Sequence, residues 1–209
     1  MPEGYQIYLD SRPVRTLAKN ILTIPSSKPH LAHAIALEWD LLASAQQALK
    51  QHLIPLTSLA ARAQDIAQQD NRGESTIRSN IVLTLMRYLD TDALLSWVPE
   101  KNQHDPQASD DERSGSLREI QIRTAEPIIS LLLERVWLEI EIKPVFESDS
   151  IMPSPQPQIT KDVIRAWISG LPAYELAGLE RGALASKSLL VAARLLIEWS
   201  ERFRHLQPA

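Results

Sequence analysis

Cysteine is absent from the chain, which removes disulfides, thiolate metal ligands and cysteine nucleophiles together. The fold therefore stands on packing, and the composition is compatible with a reducing compartment such as the cytosol or the mitochondrial matrix. Glycine is scarce. The six glycines, at positions 4, 73, 115, 170, 178 and 182, cannot be assembled into Gly-x-Gly-x-x-Gly or a P-loop. No nucleotide cofactor is expected. A basic excess is also lacking, because 22 Lys and Arg face 26 Asp and Glu for a net charge of -4. A duplex nucleic acid would meet mild repulsion and no basic stripe. Long apolar runs are missing as well. The strongest, Leu184 to Trp199, is interrupted by Lys187, Arg194 and Glu198, whereas a spanning helix needs about 20 mostly apolar residues. It reads as a buried helix of a soluble protein, with no membrane span expected. Met1-Pro2-Glu3 runs directly into the first strand, so no targeting leader is expected.

What is present suffices for a core. An apolar fraction of 44% over 209 residues is ordinary for a globular protein and fits one large or two small domains. Tyr5, Ile7 and Leu9 alternate with Gln6, Tyr8 and Asp10, the period of a strand with one buried face. Val14 to Thr16 and Ile21 to Ile24 supply further short segments, giving a small antiparallel sheet. Ser26 or Ser27 is expected to cap a helix with Pro29 in its first turn, running on through Leu31, Ile35, Trp39, Leu42, Ala45 and Leu49 to about His52. A second amphipathic helix covers Leu56 to Ile66, and a third runs from Ser75 or Thr76 to Asp92.

Leu94 to Val98 reads as extended. Residues 99–116 carry almost no apolar side chains, cannot offset their ordering entropy by burial, and read as a mobile polar insertion. Helical patterning resumes at Leu117, with a break or kink expected at Pro127. Residues 140–146 look extended, and the three prolines of Ile151-Met152-Pro153-Ser154-Pro155-Gln156-Pro157 favour a polyproline-like connector. Thr160 is expected to cap a helix ended by Gly170, and Pro172 opens a last helical stretch running towards Phe203. Gly178, Gly182 and Ser186 lie four apart there, a nearly bare face against which another helix packs closely. The expected fold class is α+β: a small β domain over 1–27, open to completion by strand pieces from later in the chain, and a mainly helical domain over 28–204.

Several short motifs follow one another in a recognisable order: Gly4-Tyr5, Arg12-Pro13-Val14-x-Thr16, Ala34-x-x-x-Glu38-Trp39-Asp40, Pro55-Leu56-Thr57 with Leu59, Leu89-Asp90-Thr91-Asp92 and Ile151-Met152-Pro153. Each is weak alone, but their order over some 150 residues resembles the mitochondrial assembly chaperones that hold the free α subunit of the F1 catalytic head of ATP synthase. The segment Ala173 to Trp199 is similar to the fungal branch in particular. The resemblance implies an ATP-independent, non-enzymatic chaperone of the matrix. It would bind unassembled α subunit and shield the surface that α later presents to β. It also implies departures. Members usually carry a leader and an aromatic-rich strand before Gly4, continue beyond Arg204 with a further helix and an acidic region, and have Trp-Asp-Pro or Trp-Asn-Pro where this chain has Ala125-Glu126-Pro127. A form shortened at both ends is expected to expose apolar surface and to bind a hydrophobic dye.

Eight residues are candidate partner contacts, each with a plainer alternative. Trp39 is either an interface anchor or core beside Ile35 and Leu42. Glu38 and Asp40 either meet a basic partner or are solvated. Asp90 and Asp92 are the one close carboxylate pair available for acid/base chemistry, or they bond backbone amides at a turn. Lys187, Arg194 and Glu198, continued by Glu201, are either a docking stripe or the solvent edge of a core helix. His30 and His33 could begin a metal site, but no third ligand stands at a telling spacing. Two other function classes stay open: a small hydrolase-like enzyme using Asp90, Asp92 and a histidine, and a generic helical adaptor.

Overall fold

The computed structural model describes residues 4–44, 46–98, 116–145 and 154–207. The chain divides into two compact units: Met1–Arg78 with Leu171–Gly178, and Ser79–Gly170 with Leu179–Ala209. The fold class is α+β, with short antiparallel strands at the N-terminal end and helices in most of the remainder.

In the first unit, β1 (Gly4–Gln6) pairs antiparallel with β4 (Thr23–Pro25), Tyr5 lying opposite Ile24. The approach is close: a Cβ on Gly4 would run into the carbonyl oxygen of Ile24, so only glycine fits without a shift. Between these strands, β2 (Tyr8–Leu9) and β3 (Arg12–Pro13) form a hairpin, and an Arg15–Ile21 bridge closes a second turn. Asp10 and Lys19 take positive φ in those turns, 54° and 66°. The apolar side of this ribbon, Ile7, Val14, Leu22 and Ile24, forms one core with Ala32 and Ile35 of α1 (Pro29–Asp40) and Ala60 and Ala61 of α2 (Pro55–Asn71). Gln64 of α2 completes the ribbon as a further strand would. Its Oε1 accepts from Thr23 N–H at 2.7 Å and its Nε2 donates to the Ile21 carbonyl at 2.8 Å.

In the second unit, α4 (Leu117–Arg135) packs on α7 (Leu189–Trp199) and on a 3-10 turn at Ala93–Leu95, and a closing 3-10 turn, Glu201–Leu206, packs back on α7. The first helix, α3 (Thr76–Asp90), lies in this unit from Ser79 on, and α6 (Ala173–Ser186) from Leu179 on. Its aromatic core sets Trp137 edge-on to Trp167 of α5 (Gln158–Ser169) at 5.4 Å between centroids, with Phe203 beyond at 6.3 Å. A capping box starts α4: Ser116 accepts from Glu119 N–H while the Glu119 carboxylate accepts from Ser116 N–H.

The structure departs from the sequence expectations in several places, each with a local cause. Tyr5 and Leu9 are 43% and 49% exposed while Ile7 is buried, because the strand changes partner at Ile7 and one pleat is not carried through. Neither serine caps α1, whose N-cap position is Lys28. That helix ends at Asp40 instead of continuing to His52: the Ala43 N–H, which a continuing helix would bond to Trp39, is taken by the Gln47 side chain at 2.7 Å, and Leu49 is left exposed. Leu94 to Val98 opens as a 3-10 turn because Asp92 caps it. Pro127 sits inside the unbroken α4, on its exposed side, as does Arg123, the residue whose carbonyl loses its donor. Thr160 lies inside α5 and does not cap it; its buried hydroxyl donates to the Glu141 carbonyl at 2.6 Å. The last helical stretch is two helices, parted at Lys187, whose φ is 59°, and restarted by Ser188, whose hydroxyl accepts from Val191 N–H. Close packing is realised at Gly182, where an added Cβ would lie 3.1 Å from that of Ala192. Residues 140–145 have no regular secondary structure. The expected insertion, except Ser116, and Ile151-Met152-Pro153 lie outside the described residues.

Candidate functional site

Of the four motif carboxylates, Glu38 and Asp92 bond backbone amides within their own units. Glu38, near the end of α1, accepts from the amides of Leu56 (2.6 Å) and Thr57 (2.9 Å) and from the Thr57 hydroxyl (2.8 Å). Those amides open α2, which Ile54 precedes without any side-chain cap, so Glu38 caps a helix from eighteen residues away. The solvated reading of Glu38 is thereby replaced by a structural one. Trp39 completes the junction: its indole N–H donates to the Thr57 hydroxyl at 3.0 Å while its half-buried ring packs against the first unit's core. Asp40, the next residue, is exposed.

In the second unit Asp90 and Asp92 take different paths. Asp90 forms an ion pair with Lys161 at 2.8 Å. Asp92 is 0% exposed; its Oδ1 accepts from Leu94 N–H at 2.9 Å, and its Oδ2 accepts from Leu189 N–H at 2.7 Å and Leu190 N–H at 3.1 Å. Burial pushes the Asp92 carboxyl above its usual range, against the opposing pull of bonds from the Ser188 hydroxyl and from the Leu190, Leu94 and Leu189 amides. An acid/base pair built on these residues would need both carboxylates open to a substrate, and Asp92 is not.

Lys187 does not belong to the stripe on α7. It occupies the corner between α6 and α7, exposed, with its ammonium 5.9 Å from the centroid of the Tyr88 ring and its carbonyl accepting from Ala93 N–H. Arg194 and Glu198 do share α7 and pair with each other at 3.1 Å. His33 donates from Nδ1 to the Pro29 carbonyl at 3.0 Å, and among the described residues no group of three His, Asp or Glu is arranged to hold a metal ion.

One feature escaped the sequence reading. Leu195 and Trp199, one turn apart on α7, are 54% and 77% exposed, in a run that reads as a buried helix with a charged solvent edge. The helical spacing of Leu189, Leu190, Ala193 and Ile197 contained the signal, since Leu195 and Trp199 fall off that face. In the first unit, Leu37 and Leu41 at the end of α1 are a second exposed pair at the same spacing. Among the described residues no helix is long and apolar enough to cross a membrane.

Each unit thus holds one helix-capping carboxylate, surface charges and an exposed apolar pair. The family described as ATP12 chaperone protein matches residues 1–132. The chain is 32% identical over 191 residues to the mitochondrial protein atp12 of Schizosaccharomyces pombe, an alignment covering 91% of this chain and 59% of that protein. It is 31% identical over 217 residues to the mitochondrial protein ATP12 of Saccharomyces cerevisiae, covering 97% and 63% respectively. The chain thus spans about three-fifths of the length of these curated relatives. The crystal structure of Atp12 from Paracoccus denitrificans shares the fold at a TM-score of 0.61 and 24% identity, covering 92% of this chain and 70% of that one. With a family match over most of its length and two such relatives, the chain belongs to the ATP12 chaperone family.

Proposed function

We propose that the protein is an assembly chaperone of the mitochondrial ATP synthase that binds the unassembled F1 α subunit in the matrix, without ATP, cofactor or chemical step. Family membership carries this reading, supported by the mitochondrial names of both fungal relatives. Physically, an orphan subunit with an apolar interface aggregates while it waits for its partner, and a temporary cover of similar polarity prevents that. The exposed pair Leu195 and Trp199 offers such a cover, and exposed Asp40, Lys187 and Glu198 are the candidate charged contacts. Glu38, Trp39 and Asp92 contribute by holding the surfaces in place, since their polar atoms bond within their own unit.

The test is co-expression of F1 α with and without this protein in cells lacking β, in wild-type and Trp199→Ala forms. The expected result is soluble α that co-elutes with the chaperone, survives ATP depletion, is displaced by β, and falls at least several-fold with Trp199→Ala at unchanged chaperone stability. Equal aggregation of α with and without the protein overturns the proposal. Capture of α that β does not displace would favour the generic adaptor.

A further inference from the structure

Charge is unevenly placed along the chain. From Ser11 to Leu37 no residue is acidic while Arg12, Arg15, Lys19 and Lys28 are basic, and setting those four aside leaves 18 Lys and Arg against 26 Asp and Glu elsewhere. Arg12, Arg15 and Lys19 are exposed on the first unit's ribbon; Lys28, at the start of α1, holds its Nζ 5.2 Å from the centroid of the Tyr174 ring. The pairing register gathers cations and apolar groups on one face. Val14 and Thr16 are buried, so Pro13, Arg15 and Leu17, which alternate with them, face outwards, and Tyr8 lies directly opposite Pro13. Leu17 is 83% exposed and Tyr8 52%. Lys19 is tied to this face because Arg15 Nη1 donates to its carbonyl at 2.7 Å. The turn that carries Leu17 is closed by the Thr16 amide on the Asn20 carbonyl at 2.8 Å and the Lys19 amide on the Thr16 carbonyl at 2.9 Å. Of the acidic residues, Asp65 meets this turn at the Ala18 amide and is buried, and Asp10 sits in the ribbon's other turn.

A projecting leucine on a preordered turn, with a tyrosine and two cations on the same face, combines apolar insertion with attraction to negative charge. An anionic bilayer meets both demands. Its interface takes up projecting apolar side chains without a matching pocket, while the headgroup phosphates meet the cations. An acidic protein surface would need a cavity shaped for Leu17. The acidic excess elsewhere in the chain is repelled by the same bilayer, which turns the ribbon towards it. We propose that the outer face of the ribbon, formed by Tyr8, Arg15, Leu17 and Lys19, is a peripheral docking surface for an anionic phospholipid bilayer.

Cosedimentation of the full chain with phosphatidylcholine vesicles, alone or with about a third phosphatidylglycerol, tests this. Binding to the anionic vesicles is expected at least about ten-fold tighter than to the neutral ones, and it should weaken steeply as salt is raised. Lys19→Asn removes one cation and suits the positive φ there; it should weaken binding about five-fold. Leu17→Ser should weaken it about ten-fold. Both variants should keep the wild-type melting temperature, since neither side chain is buried and Arg15 is left to hold the turn. Equal binding to both kinds of vesicle, or none to either, overturns the proposal. So does binding that both variants leave unchanged and Trp199→Ala abolishes, which would make α7 the lipid contact. Retention on immobilised polyglutamate without vesicle binding overturns it in favour of an acidic protein partner.

Discussion

Glu38 in the first unit and Asp92 in the second both reach beyond their own element to receive the amides that open a distant helix, but they do so under different conditions. Glu38 is half-buried and replaces a cap that α2 lacks altogether, because its N-cap residue, Ile54, has no polar side chain. Asp92 is wholly buried and adds to a cap that α7 already has in Ser188. The comparison separates two uses of one interaction. A carboxylate at a helix start gains from the amides and the helix dipole in either setting. Only the buried one also bears a large desolvation cost, visible in the raised pKa of Asp92.

The sharpest way to break the comparison is Asp92→Ala. It strips acceptors from three amides, those of Leu94, Leu189 and Leu190, in a place water does not reach. The expected loss is about 3–4 kcal/mol by urea denaturation, at the upper end for a single substitution. The pH dependence should carry the opposite signature. Because the folded pKa of Asp92 lies above 3.8, the unfolded chain ionises first as pH rises. This group's contribution is therefore full below 3.8, falls through the window up to the folded pKa, and is flat beyond it. Asp92→Asn has no such titration, so its stability gap to wild type should narrow as pH rises through that window. A gap that widens there would mean that the bonds to the charged form outweigh burial.

Glu38→Ala is the next largest effect, at about 2 kcal/mol. Three bonds are lost, two of them from buried Thr57, but Glu38 and Leu56 are only half-buried, so water can reach part of the junction. Glu38→Gln keeps one acceptor oxygen and should lose about half as much. If Glu38→Ala equals Asp92→Ala in cost, burial is not what distinguishes the two sites.

The same pair shows where the sequence was legible. Local signals located much of the scaffold: the amphipathic spacing over Leu56 to Ile66 within α2, Thr76 opening α3, and the short β segments that carry Ile7, Val14, Leu22 and Ile24. The order of short motifs was enough to indicate the family. The destination of a side chain was not readable. Nothing near Asp92 announces that its oxygens meet residues 97 and 98 positions away, and Glu38-Trp39-Asp40 looks like a surface motif until α2 is laid against it. Helix ends failed where one side chain decided them, as Gln47 does in taking the Ala43 amide, or where a strained residue turns the chain, as Lys187 does at positive φ. The exposure of Trp199 was recoverable in principle, but an apolar run invites the assumption that every member is inside.

The smallest effect refines the second half of the comparison, since the corner that Asp92 caps also brings α6 against α7. Gly182 and Ala192 meet there, and a Cβ on residue 182 would sit 3.1 Å from the Ala192 Cβ, tighter than ordinary contact by a few tenths of an ångström. In an unencumbered helix Gly→Ala gains up to about 1 kcal/mol from propensity, while crowding of this degree costs a comparable amount. Gly182→Ala should therefore be near neutral, within about 0.5 kcal/mol of wild type. Pairing it with Ala192→Gly moves the methyl from one helix to the other and removes the collision. The double variant should then be more stable than Ala192→Gly alone by nearly the whole propensity gain. A double-mutant cycle with no coupling between the two positions would show that α6 and α7 part easily at this corner, and that Asp92 holds only the start of α7 and not its distance from α6.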